Sequence, residues 1–259
     1  MPIHDWTRVP DSVFHSFHGG WITALADALN EGVLPDGFYA AGEKQMPGVE
    51  PDVLTFVRGP AGKGGGNAAP AATGPGVVSV LNRPPAVAVV ERMAVTDGAT
   101  TIRQDSVAVR RSGDDRMVAV VELVSAGNKS SRTRTDAFLG KLVGLVGAGV
   151  HVLIVDLYPP TTTAPRGLHA AAWARLTGQE ATAPTNGATN GAAAADLVQA
   201  SYLADSPPRA FVQPTRVGGD LARMPLFLTT ENYVEVPLAE TYAERFRKFP
   251  RPWREDLTG

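Results

Sequence analysis

The feature that most constrains the fold is the passage between residues 117 and 158. Residues 117–125 are rich in valine and are bounded by turn residues, which is typical of a strand. Residues 151–158 form a nearly continuous apolar run, which is typical of a buried strand. Strand, helix and strand within about forty residues predict a right-handed crossover and an α/β fold. The intervening residues 135–149 predict the helix through an apolar face of Phe138, Leu139, Leu142, Leu145 and Val146.

Apolar periodicity predicts further elements on both sides of this crossover. An amphipathic helix is predicted at 12–31, and Val-rich segments predict strands at 86–95 and 106–111. We expect these two strands to lie beside the strand at 117–125. Further strands are predicted at 37–45, 51–57, within 198–212, at 225–228 and at 234–236, and further helices at 167–176 and 239–249.

Two segments have a composition that does not support a core. The chain of 259 residues holds 27 glycines and 21 prolines, many of them in residues 58–76, and residues 179–195 are similarly poor in large apolar side chains. Such segments bury too little apolar surface to offset the entropy that ordering costs. We therefore predict a single domain over 1–259 with flexible insertions at 58–76 and 179–195.

Composition also narrows the classes of function. The absence of cysteine excludes disulfides, thiolate zinc sites and a cysteine nucleophile. Residues 1–6 lack the pattern of a secretory signal, and the longest apolar run is too short to span a bilayer, so we expect a cytoplasmic protein without a membrane partner. The net charge of -2 indicates that any site for nucleic acid is local.

Glu122 interrupts a strand of valines. A buried charge is tolerated when it meets a partner, a metal or solvent at a cleft. One interpretation is a carboxylate that points to solvent or pairs with an arginine; the other is a metal or catalytic site. Asp52 and Glu43 lie upstream, and Lys129 and Lys141 follow Glu122. Carboxylates that hold a hard divalent cation, together with a lysine, are a minimal set for phosphodiester hydrolysis.

The same residues carry a resemblance that covers nearly the whole chain outside the two insertions. The chain resembles the bacterial family catalogued as domain of unknown function 4058, whose middle part is similar to Uma-type restriction endonucleases of the PD-(D/E)xK nuclease superfamily. The resemblance rests on the opening segment 1–6, Gly42-Glu43, Pro51-Asp52-Val53, the segment 121–129, Lys141, the segment 149–157, and Val236-Pro237-Leu238 with Tyr242.

The resemblance implies a restriction-endonuclease-like fold, with a mixed central sheet flanked by helices. It assigns Asp52 and Glu122 as the two motif acids and metal ligands, and Glu43 as an additional upstream acid. The motif lysine is expected two residues after the glutamate, where this chain has Val124. In Uma-type proteins a lysine on the following helix is the proposed substitute, which here corresponds to Lys141. Lys129 is the nearer competitor.

The leading functional hypothesis is therefore a magnesium-dependent nuclease. Asp52 and Glu122 bind the metal, Glu43 assists, and Lys141 or Lys129 stabilises charge. A basic turn that contains Lys129, Arg132 and Arg134 is the predicted contact for nucleic acid. The alternative is a non-catalytic binding or assembly module on a retired nuclease scaffold. The sequence leaves the choice between a monomer and a homodimer open.

Overall fold

A computed structural model of the chain describes residues 1–43, 79–80, 89–92, 106–181 and 196–259. The predicted insertion at 58–76 and the predicted strand at 51–57 lie outside these residues. Most of the second predicted insertion, residues 182–195, also lies outside them. Within the described residues, no helix combines the length and the apolar character that crossing a membrane requires.

Seven strands of the described residues form the main sheet. They are β1 (Phe38–Glu43), β3 (Val89–Arg92), β4 (Ser106–Arg111), β5 (Met117–Val124), β6 (His151–Asp156), β7 (Leu197–Leu203) and β8 (Arg209–Thr215). Their order is β1-β4-β5-β6-β7-β8-β3. A smaller sheet has the order β2-β10-β9 and consists of β2 (Ser79–Val80), β9 (Met224–Phe227) and β10 (Asn232–Val236).

The main sheet is mixed, because β5 and β6 are parallel and every other neighbouring pair is antiparallel. Two helices connect the parallel pair: α2 (Ala126–Lys129) and α3 (Arg132–Gly147). The predicted strand, helix and parallel strand are confirmed. The helix begins three residues earlier than predicted, since the Ser131 hydroxyl caps it by accepting a hydrogen bond from the Arg134 N–H at 3.3 Å.

One expectation about strand order is wrong. Strand β4 lies beside β5 as expected, but β3 pairs with β8 at the opposite edge of the sheet. The physical reason is that the other edge of β4 is taken along its whole length by β1. Residues 198–212 also form parts of two strands, β7 and β8, with a turn at Pro207 and Pro208 between them.

The remaining helices are α1 (Asp11–Ala28), α4 (Gly167–Thr177), α5 (Leu238–Arg247) and α6 (Arg251–Thr258), and a π-helical turn, Leu29–Val33, extends α1. Helices cover both faces of the main sheet. On one face, α1 and α5 pack on β1, β4 and β5 in what we name the α1 core, which includes Phe17, Trp21, Val121, Leu123 and Tyr242. On the other, α3 and α4 pack in the α3 core, which includes Phe138, Leu142, Val124, Ile154 and Trp173.

Candidate functional site

The alternating side-chain directions along β5 determine the face of the sheet on which Glu122 lies. Val121 and Leu123 lie in the α1 core, whereas Val124 lies in the α3 core. Because successive side chains of a strand point to opposite faces, Glu122 shares the face of Val124 and lies under α3. The Glu122 side chain is only 3% exposed, so the interpretation that it points to solvent is wrong.

Lys141 on α3 meets Glu122. The Lys141 Nζ lies 2.6 Å from the Glu122 Oε1, and the Lys141 side chain is 13% exposed. Phe138 and Leu142 are buried in the α3 core and turn this side of α3 towards the sheet. Lys141 lies three residues after Phe138 and therefore on nearly the same face of the helix. The structure thus brings Glu122 together with Lys141, one of the two lysines that the sequence analysis left open.

Lys129 pairs with Asp156 rather than with Glu122. Its ammonium lies 2.7 Å from the Asp156 Oδ2, and both side chains are 2% exposed. It also donates to the carbonyl oxygens of Tyr158 at 2.5 Å and Pro159 at 3.1 Å. Since an ammonium has three N–H donors, these three acceptors account for all of them. A buried, fully bonded Lys129 cannot belong to an exposed basic turn, which corrects the prediction that it contacts nucleic acid.

The local backbone explains why Lys129 is buried. The Asn128 Oδ1 accepts hydrogen bonds from the N–H of Ser125 at 2.7 Å and from its hydroxyl at 3.0 Å. This interaction turns the chain sharply at the end of β5 into the short helix α2. Lys129 at the end of α2 therefore reaches back to the end of β6, where Asp156 lies.

Asp156 is a buried charge that the sequence analysis did not select. Burial raises the pKa of the Asp156 carboxyl, while the Lys129 ammonium and the Tyr158 N–H oppose this rise. Register pairs Asp156 with Val124, so Asp156 and Glu122 share one face of neighbouring strands. Their Cα atoms are about 8 Å apart by strand geometry. The signal that could have found Asp156 is the one that found Glu122: an acid within an apolar strand.

Of the two upstream acids, the structure describes Glu43, whose position is given by the backbone register of β1. Glu43 is the last residue of β1 and pairs with Ser106 at the start of β4. Val107 of β4 pairs with Val121 of β5, so continuing that antiparallel register by one residue places Ser106 beside Glu122. Glu43, Ser106 and Glu122 therefore occupy one row across three neighbouring strands. Asp52, the second predicted metal ligand, lies outside the described residues.

Of the three residues predicted to contact nucleic acid, Lys129 is buried, which leaves Arg132 and Arg134. Arg132 and Arg134 are exposed and lie in the first turn of α3 rather than before it. The Arg132 Nε lies 4.0 Å from the Asp136 Oδ2, and Asp136 also pairs with Arg175 of α4. Part of the positive charge of this surface is therefore neutralised within the protein.

A contact from the opposite face supports the strand that carries Glu122. The buried His18 of α1 donates from Nε2 to the Leu123 carbonyl oxygen at 2.7 Å. The end of β5 is thus held by α1 on one side and by Lys141 of α3 on the other.

Within the described ranges, no three His, Cys, Asp or Glu side chains lie together in an arrangement that could hold a metal ion. Comparison of the chain with protein-family models, with curated proteins and with solved structures finds no match.

Proposed function

We propose that the protein is a divalent-metal-dependent nuclease with a restriction-endonuclease-like fold, related to the family of domain of unknown function 4058. The observation that carries the proposal is the 2.6 Å contact between the Lys141 Nζ and the Glu122 Oε1. A glutamate and a lysine 19 residues apart in sequence meet on one face of the sheet, as the motif with a displaced lysine requires. The mixed sheet with helices on both faces supports the same proposal.

The geometry favours Lys141 over Lys129 as the functional lysine. Among the described residues, Lys129 has three acceptors, whereas the ammonium of Lys141 has one carboxylate at hydrogen-bond distance and belongs to a partly exposed side chain. An ammonium with unfilled donors can stabilise charge that develops on a phosphate oxygen. Lys141 is therefore the residue to which we assign charge stabilisation.

The magnesium part of the proposal is supported by donor chemistry, because its two proposed ligands, Glu122 and Asp52, are both carboxylates. Magnesium prefers carboxylate oxygens, and Glu122 supplies one on a rigid strand, with Asp52 as the second predicted ligand. The position of Glu43 in the row of Ser106 and Glu122 supports its role as an additional acid. When bound, the metal would polarise a phosphoryl oxygen and promote attack by water.

The test compares metal binding and cleavage in matched variants. The wild-type protein is expected to show a higher melting temperature with Mg²⁺ or Mn²⁺ and to cleave single- or double-stranded DNA or RNA. Glu122→Gln should abolish both effects, whereas Glu235→Gln, an exposed strand glutamate on β10, should change neither. Lys141→Met should retain the metal-dependent shift and lose cleavage, and Lys248→Met, an exposed lysine, serves as its control.

A non-catalytic binding or assembly module is the second candidate. The observation that favours it is that Glu122 already has a close internal cation, which is sufficient for a purely structural buried ion pair. This candidate predicts neither a metal-dependent shift nor cleavage in the wild-type protein. That result would overturn the nuclease proposal.

A further inference from the structure

A cavity lies at the end of the main sheet opposite to Glu122. Its volume is about 210 Å³, and its lining includes Arg111, Arg116, Val118, His151, Leu228 and Thr230. Val118 precedes Glu122 by four residues on β5, which corresponds to about 13 Å along the strand. The cavity is therefore separate from the Glu122–Lys141 pair.

His151 presents a hydrogen-bond donor at this cavity. The Ala204 backbone N–H donates to the His151 Nδ1 at 3.0 Å, so Nδ1 must accept and the ring proton must be on Nε2. The residue is only 4% exposed and its ring lines the cavity. Among the described residues, Nε2–H has no acceptor. Nε2 is not one of the polar atoms that are cut off from solvent without a partner, so it can be reached from the cavity and can donate to a bound acceptor.

The ring is held neutral by its surroundings. Burial lowers the pKa of His151 from 6.5 to about 4, although the charge of Asp205 opposes this shift. At neutral pH the ring therefore remains a donor at Nε2 and an acceptor at Nδ1.

Arg116 gives the cavity a positive charge. Of the two acids in the neighbouring turn, Asp115 lies 3.9 Å from Arg110, and Asp114 accepts two hydrogen bonds from the Arg111 side chain and one from the Arg116 backbone N–H at 3.4 Å. The hydrogen bonds from Arg111 lower the pKa of the Asp114 carboxyl to about 2, and the charge of Arg116 contributes to this shift. The Arg116 guanidinium has no ion-pair partner within the described part of the chain. The exposed Thr230 adds a hydroxyl at the rim.

We propose that this cavity binds a small organic anion, with its carboxylate or phosphate group held by Arg116 and an acceptor atom bonded to the His151 Nε2–H. The volume corresponds to about seven molecules of liquid water, which is enough for the charged group and a short uncharged part of a small molecule. Val118 and Leu228 provide an apolar wall for its uncharged part. The proposal is independent of the nuclease hypothesis, because it uses none of the residues at Glu122.

The test titrates inorganic phosphate and, separately, benzoate into the full-length protein at constant ionic strength. Binding is followed through the ¹⁵N resonances of the histidine rings and by calorimetry. We expect at least one probe to shift the His151 Nε2 resonance. Arg116→Gln should weaken that probe about tenfold or more, because a charge-assisted hydrogen bond is lost. Arg251→Gln makes the same charge change on the distant helix α6 and should leave the affinity unchanged.

His151→Asn is the second variant, since its side-chain oxygen can still accept from the Ala204 N–H while the Nε2 donor is removed. It should also weaken binding about tenfold. A response to phosphate alone identifies a phosphate-headed ligand, and a response to benzoate alone identifies a carboxylate. The proposal is overturned if neither probe shifts His151, or if Arg116→Gln binds as the wild-type protein does. Because Arg116 is exposed, that variant is expected to fold.

Discussion

At the residue scale, Lys129 and Lys141 each pair with a buried carboxylate but differ in how many groups they hold. Lys129 joins the end of α2 to the end of β6 through Asp156 and two backbone carbonyls. Lys141 joins α3 to β5 through a single carboxylate and keeps some contact with solvent. The first interaction closes the crossover connection, and the second leaves the Lys141 side chain partly exposed to solvent.

Lys129→Met should therefore lower the free energy of unfolding more than Lys141→Met does. Removing one partner of a fully buried pair leaves an uncompensated charge and costs about 3–5 kcal/mol. Lys141→Met also leaves a buried carboxylate, Glu122, without its cation, but Lys129→Met in addition takes a donor from the carbonyls of Tyr158 and Pro159. We therefore expect a smaller loss, about 1–3 kcal/mol, for Lys141→Met. Urea denaturation checks both values, and Lys248→Met, which breaks an exposed pair with Glu244, should cost under about 1 kcal/mol. An equal loss for Lys129→Met and Lys141→Met would contradict this assignment.

The pH dependence of stability is also decided by single residues. Burial lowers the pKa of His4 and of His151 from 6.5 to about 4 each. Between these pH values the unfolded chain binds more protons than the folded protein, so stability falls as the pH falls from about 6.5 to about 4. His151→Asn should reduce the slope of the free energy of unfolding against pH in this window. An unchanged slope would show that His151 titrates normally in the folded protein.

At the element scale, the packing of α1 against α5 depends on a missing side chain. The side chain of Arg245 on α5 occupies the space that a Cβ on Gly20 of α1 would fill. Its Nη2 donates to the Ser16 carbonyl oxygen at 3.1 Å, and its guanidinium lies 5.7 Å from the Phe249 ring centre. Glycine has a lower helix propensity than alanine, but at position 20 its lack of a side chain leaves room for Arg245, which connects α1 and α5.

A double-mutant cycle tests this packing. In the Arg245→Ala background, Gly20→Ala should stabilise the protein by about 1 kcal/mol, because alanine is the better helix former. In the wild-type background the same change must displace Arg245, so we expect no gain or a net loss. Thermal and urea denaturation of the four proteins give a coupling free energy of about 1 kcal/mol or more. Additive effects would mean that Arg245 moves aside without cost.

At the scale of the whole molecule, charge limits the strength of nucleic-acid binding. The net charge is -2, and the exposed arginines of α3 lie beside Asp136. Under the nuclease proposal, binding is therefore expected to be weak, local and sensitive to salt. Many phosphate contacts would require a broad basic surface, and Arg132 and Arg134 supply a narrow one.

Removing these two charges should change the salt dependence by a defined amount. The double variant Arg132→Gln/Arg134→Gln should reduce the slope of log K against log salt for duplex DNA by about 2, because each phosphate contact contributes about 0.9. The control variant Lys248→Gln/Arg251→Gln removes the same amount of charge elsewhere, since Lys248 lies at the end of α5 and Arg251 at the start of α6. Equal slopes for the two variants would place the binding surface elsewhere.

Much of the architecture is determined by the sequence alone, because periodicity is a local property. Strand β4 matches its predicted bounds, β5 and β6 lie within theirs, and the helix between them follows from its apolar face. The candidate acid Glu122 was found in the same way, since a charge among valines stands out without any knowledge of its neighbours.

Only the tertiary structure decided which distant groups meet. The sequence left the choice between Lys141 and Lys129 open. The structure gives them different partners, because α2 turns back towards Asp156 whereas α3 crosses over Glu122. The place of β3 beside β8 likewise depends on β1 having already occupied the edge of β4. The physical reason is that periodicity fixes the face on which a side chain lies, whereas its partner depends on strand order and helix direction, which are set by contacts between segments far apart in the chain.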